Sequence, residues 1–480
     1  ICVAMRIYNS TARHPGDHTK YALCIAFLAG CAAPMALRHY QSLQGFVAQK
    51  RYAEADALAI KAREDAYGKK NILLYHLDRG LLLHLAGRYA DSNAAFEEAK
   101  TVAADLFTRS VTAEAATLLV NDAVRPYPGE DFERALIYLF GAMNYVLLGR
   151  PAEALVEARQ VDHYLNTLQA TYHGKGPRFQ EDAFARYLAG LLYEDQGETN
   201  DAFIAYRKAL EAYETYRRDY ETRIPPALVG DALRTAARLG FQAEAAEIRE
   251  KYGSGIQTST TGQGEIVVIH YSGLSPKKAS QNLEVAFGRG WGYVQQQQVS
   301  EEEHRDVEKA GAAVRAIAAT DQVRVAFPVF EPQTYGIHAG VIKTDAGPAA
   351  ATTEPAEPVG RIAIETLEDR VDRIRIRAIA RATLKYALSK IAENEAGKES
   401  KLFGWLVGAG LRVFGAVTEE ADLRSWRLLP DEIRHLLVIC RPGNITSYCS
   451  HFPHAWNIHI IAARSDAYAT RAPARCDRAS

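Results

Sequence analysis

Thiols, imidazoles and glycine-rich turns are the groups in this chain whose spacing could do chemistry. The 6 cysteines fall at the two ends: Cys2, Cys24 and Cys31 at the start, Cys440, Cys449 and Cys476 at the finish. The long stretch between them holds none, so it carries neither a disulfide framework nor a thiolate metal site. Cys449, His451, His454 and His459 are ligand types, but their spacing fits no zinc pattern, and no metal or other cofactor is expected. His270 sits in a β-branched run and reads as a core or sheet-face histidine. Gly288-Arg289-Gly290-Trp291-Gly292 does not lie between a strand and a helix, as a dinucleotide fingerprint requires, and reads as a turn. No P-loop, Gly-x-Ser-x-Gly or His-Glu-x-x-His motif is present. No catalytic residue and no small-molecule substrate are therefore expected. Lys+Arg total 57 against Asp+Glu 58, a balance that gives no electrostatic reason for a nucleic-acid partner.

One thiol stands apart. Arg6, Arg13 and Lys20 precede a short apolar run, Tyr21 to Gly30, about half the roughly 20 residues a helix needs to span a bilayer. A basic flank, a short apolar run and small residues after it are the layout of a cleaved export signal, with Met5 as a candidate start. Leu28-Ala29-Gly30-Cys31 at its end resembles the lipobox of bacterial lipoproteins. That resemblance implies a lipid on Cys31, and Ala32 after it implies the outer membrane. The signal is assigned to residues 1–30.

The elements that follow read as helices. Residues 38–252 are rich in Ala, Leu, Glu, Arg and Tyr, with Gly and Pro mostly between apolar-periodic stretches. Three stretches share a spacing: Gly80, Leu83, Gly87, Ser92, Phe96; Ala142, Tyr145, Gly149, Ala154, Ala158; Gly190, Tyr193, Gly197, Ala202, Tyr206. Small residues would let paired helices approach, the glycine would end the first helix, and the ring would fill the groove. The pattern resembles the tetratricopeptide repeat, at irregular intervals, with Gly240 and Ala245 marking a degenerate last copy. Between copies, Asn121 to Glu133 holds a Pro-Tyr-Pro-Gly turn and Asp131 as an expected helix N-cap. Asp122, Tyr127, Gly129, Asp131 and Glu133 are candidates for a partner-facing loop; a structural plug between repeats is the alternative and the favoured one.

After a Gly/Ser/Thr-rich linker at 253–264 the pattern changes. Ile266 to Tyr271 reads as a buried strand, Val323 to Phe330 as a half-buried one, and Ile337 to Lys343 as a third. Asp345 to Pro358 reads as a surface loop, Ile362 to Glu393 as a helix, and Leu402 to Val417 as an apolar segment packing on the sheet. Leu423 to Leu437 leads into a closing strand. Residues 441–480 follow no period of 2 or 3.6 and read as an atypical tail, out of frame or disordered, which would leave a sheet edge open.

Several blocks resemble a family of bacterial lipoproteins with tetratricopeptide-like repeats, over about residues 20–435. They are Asn121-Asp122, Pro126-Tyr127, Gly129 to Glu133, Asn200-Asp201-Ala202, Tyr206-Arg207-Lys208, Gly273 to Pro276, Leu367 to Arg370, Arg424-Ser425-Trp426 and Leu429-Pro430-Asp431. The resemblance implies an envelope location and a two-part plan, and carries no activity. The expected fold is α+β and multidomain: an all-α tetratricopeptide-like solenoid at 31–252 and a smaller α/β domain with a short sheet at 265–440. The expected function is a non-catalytic, lipid-anchored scaffold that binds another envelope protein through its repeats. The alternatives are an envelope enzyme with its site in 265–440, and partner binding by strand addition to the sheet.

Overall fold

The computed structural model describes residues 32–113, 123, 125–171, 178–254, 264–296, 307, 321–336, 338–344, 347–399, 420–440 and 458–465. Helices α1 (Ala32–Ala48) and α2 (Tyr52–Lys61) form a first hairpin, followed by a π-turn at Arg63–Tyr67 and a 3₁₀ turn at Lys69–Asn71. Four more hairpins pair α3 (Ile72–Leu85) with α4 (Tyr89–Ala113), α5 (Asp131–Leu147) with α6 (Pro151–Thr171), α7 (Ala183–Asp195) with α8 (Thr199–Asp219), and α9 (Pro226–Leu239) with α10 (Gln242–Tyr252).

These four hairpins turn in one way. Gly87, Gly149, Gly197 and Gly240 stand at φ of +74°, +69°, +81° and +75°, where a side chain would be strained. The next residue donates its N–H back five positions, Arg88 to Leu83, Arg150 to Tyr145, Glu198 to Tyr193 and Phe241 to Ala236, at 2.8–2.9 Å. Orphan carbonyls at each helix end are thereby satisfied. The small residues then meet the rings: a Cβ on Gly80 would overlap the Phe96 ring, and one on Gly190 the Tyr206 ring. Gly80→Ala and Gly190→Ala should each cost about 1–3 kcal/mol of stability by overpacking. Gly45, inside α1 with open space around its Cβ position, is the control. Gly45→Ala should gain about 0.5–1 kcal/mol from helix propensity. Urea unfolding of the three variants measures this; equal effects at all three sites would remove the packing explanation.

The strands follow. A four-stranded antiparallel sheet has the order β6 (Glu354–Glu357), β7 (Glu432–Cys440), β1 (Gly264–Ser272), β8 (Ile458–Ser465). Ile266 pairs with Val438 and Tyr271 with Ile433. Val267 through Tyr271 are all buried, as an unbroken β-branched run requires. β2 (Lys277–Ala286) pairs with β3 (Gln322–Glu331), and β4 (Val341–Thr344) with β5 (Gly347–Thr352). α11 (Phe287–Val294) and the long α12 (Val359–Glu399) pack on β2 and β3 through Phe287, Val325, Ile379 and Leu384.

Several expectations need correcting. Gly288 to Gly292 is helix α11, not a turn, and Gly290 lies so close to Thr383 that a Cβ would overlap it. Residues 345–358 are not a surface loop, since β5 and β6 run through them. The sheet edge at β1 is not open, because residues 458–465 pair with it. Leu402 to Val417 lies outside the described residues.

One apolar core runs through both parts of the chain, from Tyr40 to Ile433. The second helices of the hairpins are half exposed. From the second hairpin on, the first helices lie beneath them, nearly buried all round: in α5, residues 131–137 and 139–144 are all buried. What covers their other side is the sheet and the segment before β7. Trp426 meets Phe96 and Phe140 at 6.1 and 5.9 Å, Tyr271 meets His84 at 5.6 Å, and His435 meets Tyr187 at 5.2 Å.

Candidate functional site

The turn before α5 brings together charged groups of β2, α12 and the segment before β7. Tyr127 is anchored by its N–H to the Lys70 carbonyl at 2.8 Å. Its hydroxyl donates to Glu133 Oε2 at 2.7 Å, the Glu130 N–H donates to the same oxygen at 3.0 Å, and the Trp426 N–H donates to Oε1 at 2.6 Å. Glu130, not Asp131, is the N-cap residue, and Asp131 pairs instead with Arg134. The Glu130 carboxylate is held between Lys278 of β2 and Arg370 of α12. Arg424 lies over the Tyr127 ring at 5.3 Å and donates to the Arg125 carbonyl at 2.8 Å.

Three of the candidates for a partner-facing loop therefore face the core. Tyr127, Asp131 and Glu133 are 2%, 1% and 0% exposed, and Gly129 at φ +78° turns the chain inward over Leu73. Asp122 lies outside the described residues, as does Cys31. Four of the blocks that carry the family resemblance meet here: Pro126-Tyr127, Gly129 to Glu133, Leu367 to Arg370 and Arg424 to Trp426.

A cleft of ≈ 220 Å³ opens beside the clamp. Glu130, Lys278, Arg370, Arg381, Glu420 and Asp422 supply its charges, over an apolar wall that includes Leu367 and Ile374. Its described lining has no Ser, Thr, Cys or His to act as nucleophile or base. Burial alone would raise Glu130, but Lys278 and Arg370 outweigh it and hold the carboxylate well below its usual range. Such a group stays ionised at neutral pH and cannot serve as an acid–base catalyst there. Burial, and then the negative Glu130 beside it, push Glu133 up to about 7.

Two further polar groups join the parts of the fold. His84 Nδ1 is 2.6 Å from Asn144 Oδ1 and Nε2 is 2.8 Å from the Tyr271 hydroxyl. With Nδ1 donating and Nε2 accepting, the ring is neutral, and burial brings its pKa down to about 4. Asn144 passes the network on to Ser92 and Asn93. The second group is a pair of acids. Asp182 caps α7, accepting the Ala185 N–H at 2.7 Å, and Tyr216 donates to both Glu357 oxygens at 3.0 Å. Burial and the charge of Asp182 raise Glu357 well above its usual range, and burial raises Asp182 to about 6. The charge of one buried carboxyl thus opposes ionisation of the other.

Among the repeat positions, Ala202 and Tyr206 are fully buried, and the Tyr206 hydroxyl donates to Glu194 at 2.8 Å. Tyr145 is half-buried under the Arg150 guanidinium at 5.1 Å. Among the described residues no group of three or more His, Cys, Asp or Glu could hold a metal ion, and no helix is long and apolar enough to cross a membrane. Comparison with models of known protein families finds no match, and comparison with curated proteins finds none either.

Proposed function

We propose that this chain is a non-catalytic, lipid-anchored scaffold of the cell envelope that binds another envelope protein through tetratricopeptide-like hairpins. The observation that carries the reading is the common register of those hairpins. Seven residues before each of three turn glycines stands a small residue, Gly80, Ala142 or Gly190. Seven residues after stands an apolar residue on the exposed face of the second helix: Ala94, Val156 and Ile204, the last two 53% and 44% exposed. A repeated outward position with no role in the core is what a partner surface needs. The inner side of the first helices is filled by the chain's own strands, so the partner is placed on the outer face.

A photo-crosslinking residue at Ala94 should capture an envelope protein in cells, and Val156→Asp with Ile204→Asp should abolish the capture while leaving the melting temperature unchanged. Undiminished capture by the double variant would end the outer-face assignment. Anchoring has its own test. Cys31→Ser should release the protein from membranes or leave an unprocessed precursor. A processed, unacylated variant that still sediments with membranes would refute the lipid reading.

The enzyme reading draws on one observation, the charged cleft between Glu130 and Arg381. Its ionisable groups include both signs in equal number, with Glu130 already committed to two cations. That arrangement suits a latch between the two parts of the fold better than a reaction centre.

A further inference from the structure

Helix α1 begins at the residue after Cys31 and runs without a break into the core. Tyr40, Leu43 and Val47 are buried, and Gln44 donates to the Arg427 carbonyl at 3.2 Å. At 1.5 Å per residue, the docked Tyr40 lies roughly 12 Å along the helix from its first residue, Ala32. A lipid on Cys31 would thus hold the body against the bilayer with no slack, and one end of the body must face it.

That end can be identified. The short loop at 49–51 folds α2 back along α1, so the end of α2 and the π-turn return to the first half of α1. Tyr67 meets His39 at 5.0 Å and Tyr40 at 6.5 Å. Around this end stand Arg38, Lys61, Arg63, Lys69 and Lys70, all exposed, against three exposed carboxylates, Asp65, Glu98 and Glu64, the last 3.9 Å from Arg63. Ile60, 48% exposed, lies among them. The chain as a whole is close to neutral, with 57 basic and 58 acidic residues, so a local excess of cations at this end is a feature of the end and not of the composition.

Resting on the lipid-anchor reading above, we infer that the basic end formed by α1, the end of α2 and the turns at 63–70 is a membrane-contact surface for acidic phospholipid headgroups. Cations within a Debye length of an anionic surface are attracted to it, and an exposed Ile among them can enter the interface. The tether sets the distance and the charge sets the face.

The test uses the full chain with its native lipid, purified from membranes and reconstituted into phosphatidylethanolamine–phosphatidylglycerol vesicles. A fluorescent amino acid is placed by stop-codon suppression at Lys61, or at the exposed Glu247 of α10 at the far end of the row. Quenching by a headgroup-spin-labelled lipid should be several-fold stronger at position 61 than at 247. Replacing phosphatidylglycerol with neutral phosphatidylcholine, or raising salt, should shrink the difference at least twofold. Equal quenching, or more at 247, would overturn the inference while leaving the anchor intact. A difference indifferent to lipid charge would overturn the headgroup assignment. If mass spectrometry finds no acyl chain on Cys31, the anchor reading fails and this surface fails with it.

Discussion

Replacing Glu130 with alanine is expected to cost about 3–5 kcal/mol of folding stability, the penalty for leaving buried cations without their counter-charge. Lys278 keeps only 4% of its side chain exposed and Arg370 25%, so Lys278 has little recourse to water. The charge, more than the packing, should matter. Glu130→Gln keeps the shape and should recover only part of the loss. Glu130→Leu combined with Lys278→Met removes both ends of the most buried pair. It should be milder than the sum of the single changes by about 0.5–3 kcal/mol, because the two groups act on each other. Urea unfolding of Glu130→Leu, Lys278→Met and their double variant against the parent gives the cycle, with Glu130→Ala and Glu130→Gln measured beside them. A Glu130→Ala variant within 1 kcal/mol of the parent chain would show that the clamp does not hold the two parts together.

The second large effect is a loss of stability as pH rises above neutrality. Asp78 and Glu133 are raised to about 7 by burial and, next for Glu133, by Glu130; Asp182 is raised to about 6 by burial, and Glu357 is raised well above its usual range by burial and then by Asp182. A carboxyl whose folded pKa is raised stabilises the fold below its unfolded value near 4 and loses that stability as pH rises through the folded value. His84, His270 and His435, all lowered by burial to about 4, act in the opposite sense. Their stabilisation is complete above about 6.5 and is lost as pH falls toward 4. Between pH 4 and 6 the two sets offset each other. Above 6.5 the histidines have nothing more to give, while the carboxyls are still losing protons. The melting temperature should therefore be nearly level from pH 5 to 6 and fall from pH 6.5 to 8. Glu357→Gln should make that fall shallower, because a neutral amide can accept from Tyr216 and has no proton to lose. A melting temperature that rises between pH 6.5 and 8 would contradict the buried acids.

What the sequence made legible was local. The turn glycines are readable because positive φ is a property of single residues, and β1 because its β-branched run is continuous. β2 was missed because Lys277 to Ala286 shows no alternation of apolar residues; only its pairing with β3 makes it a strand. Gly288 to Gly292 was misread because its glycines suit a turn, and only the packing of Phe287 against Trp291 and of Gly290 against Thr383 holds them in a helix. The clamp left no trace in spacing. Glu130 lies 148 residues from Lys278 and 240 from Arg370, and nothing local distinguishes any of the three. The hairpin spacing gave no sign that the inner side of the first helices is covered by residues from the other end of the chain.

That last arrangement sets a timetable for folding. The Glu133 carboxylate waits for the backbone N–H of Trp426, 293 residues downstream, and Phe96 and Phe140 wait for the indole of that residue. At about 5–20 residues per second of synthesis, the first helices would spend roughly 15–60 s with an apolar flank uncovered. Were the chain exported as proposed, the delay would favour it, since translocation needs an unfolded chain. Until its C-terminal strands arrive it is exposed to aggregation, and any holdase that meets it would do so through the flank that Trp426 later covers.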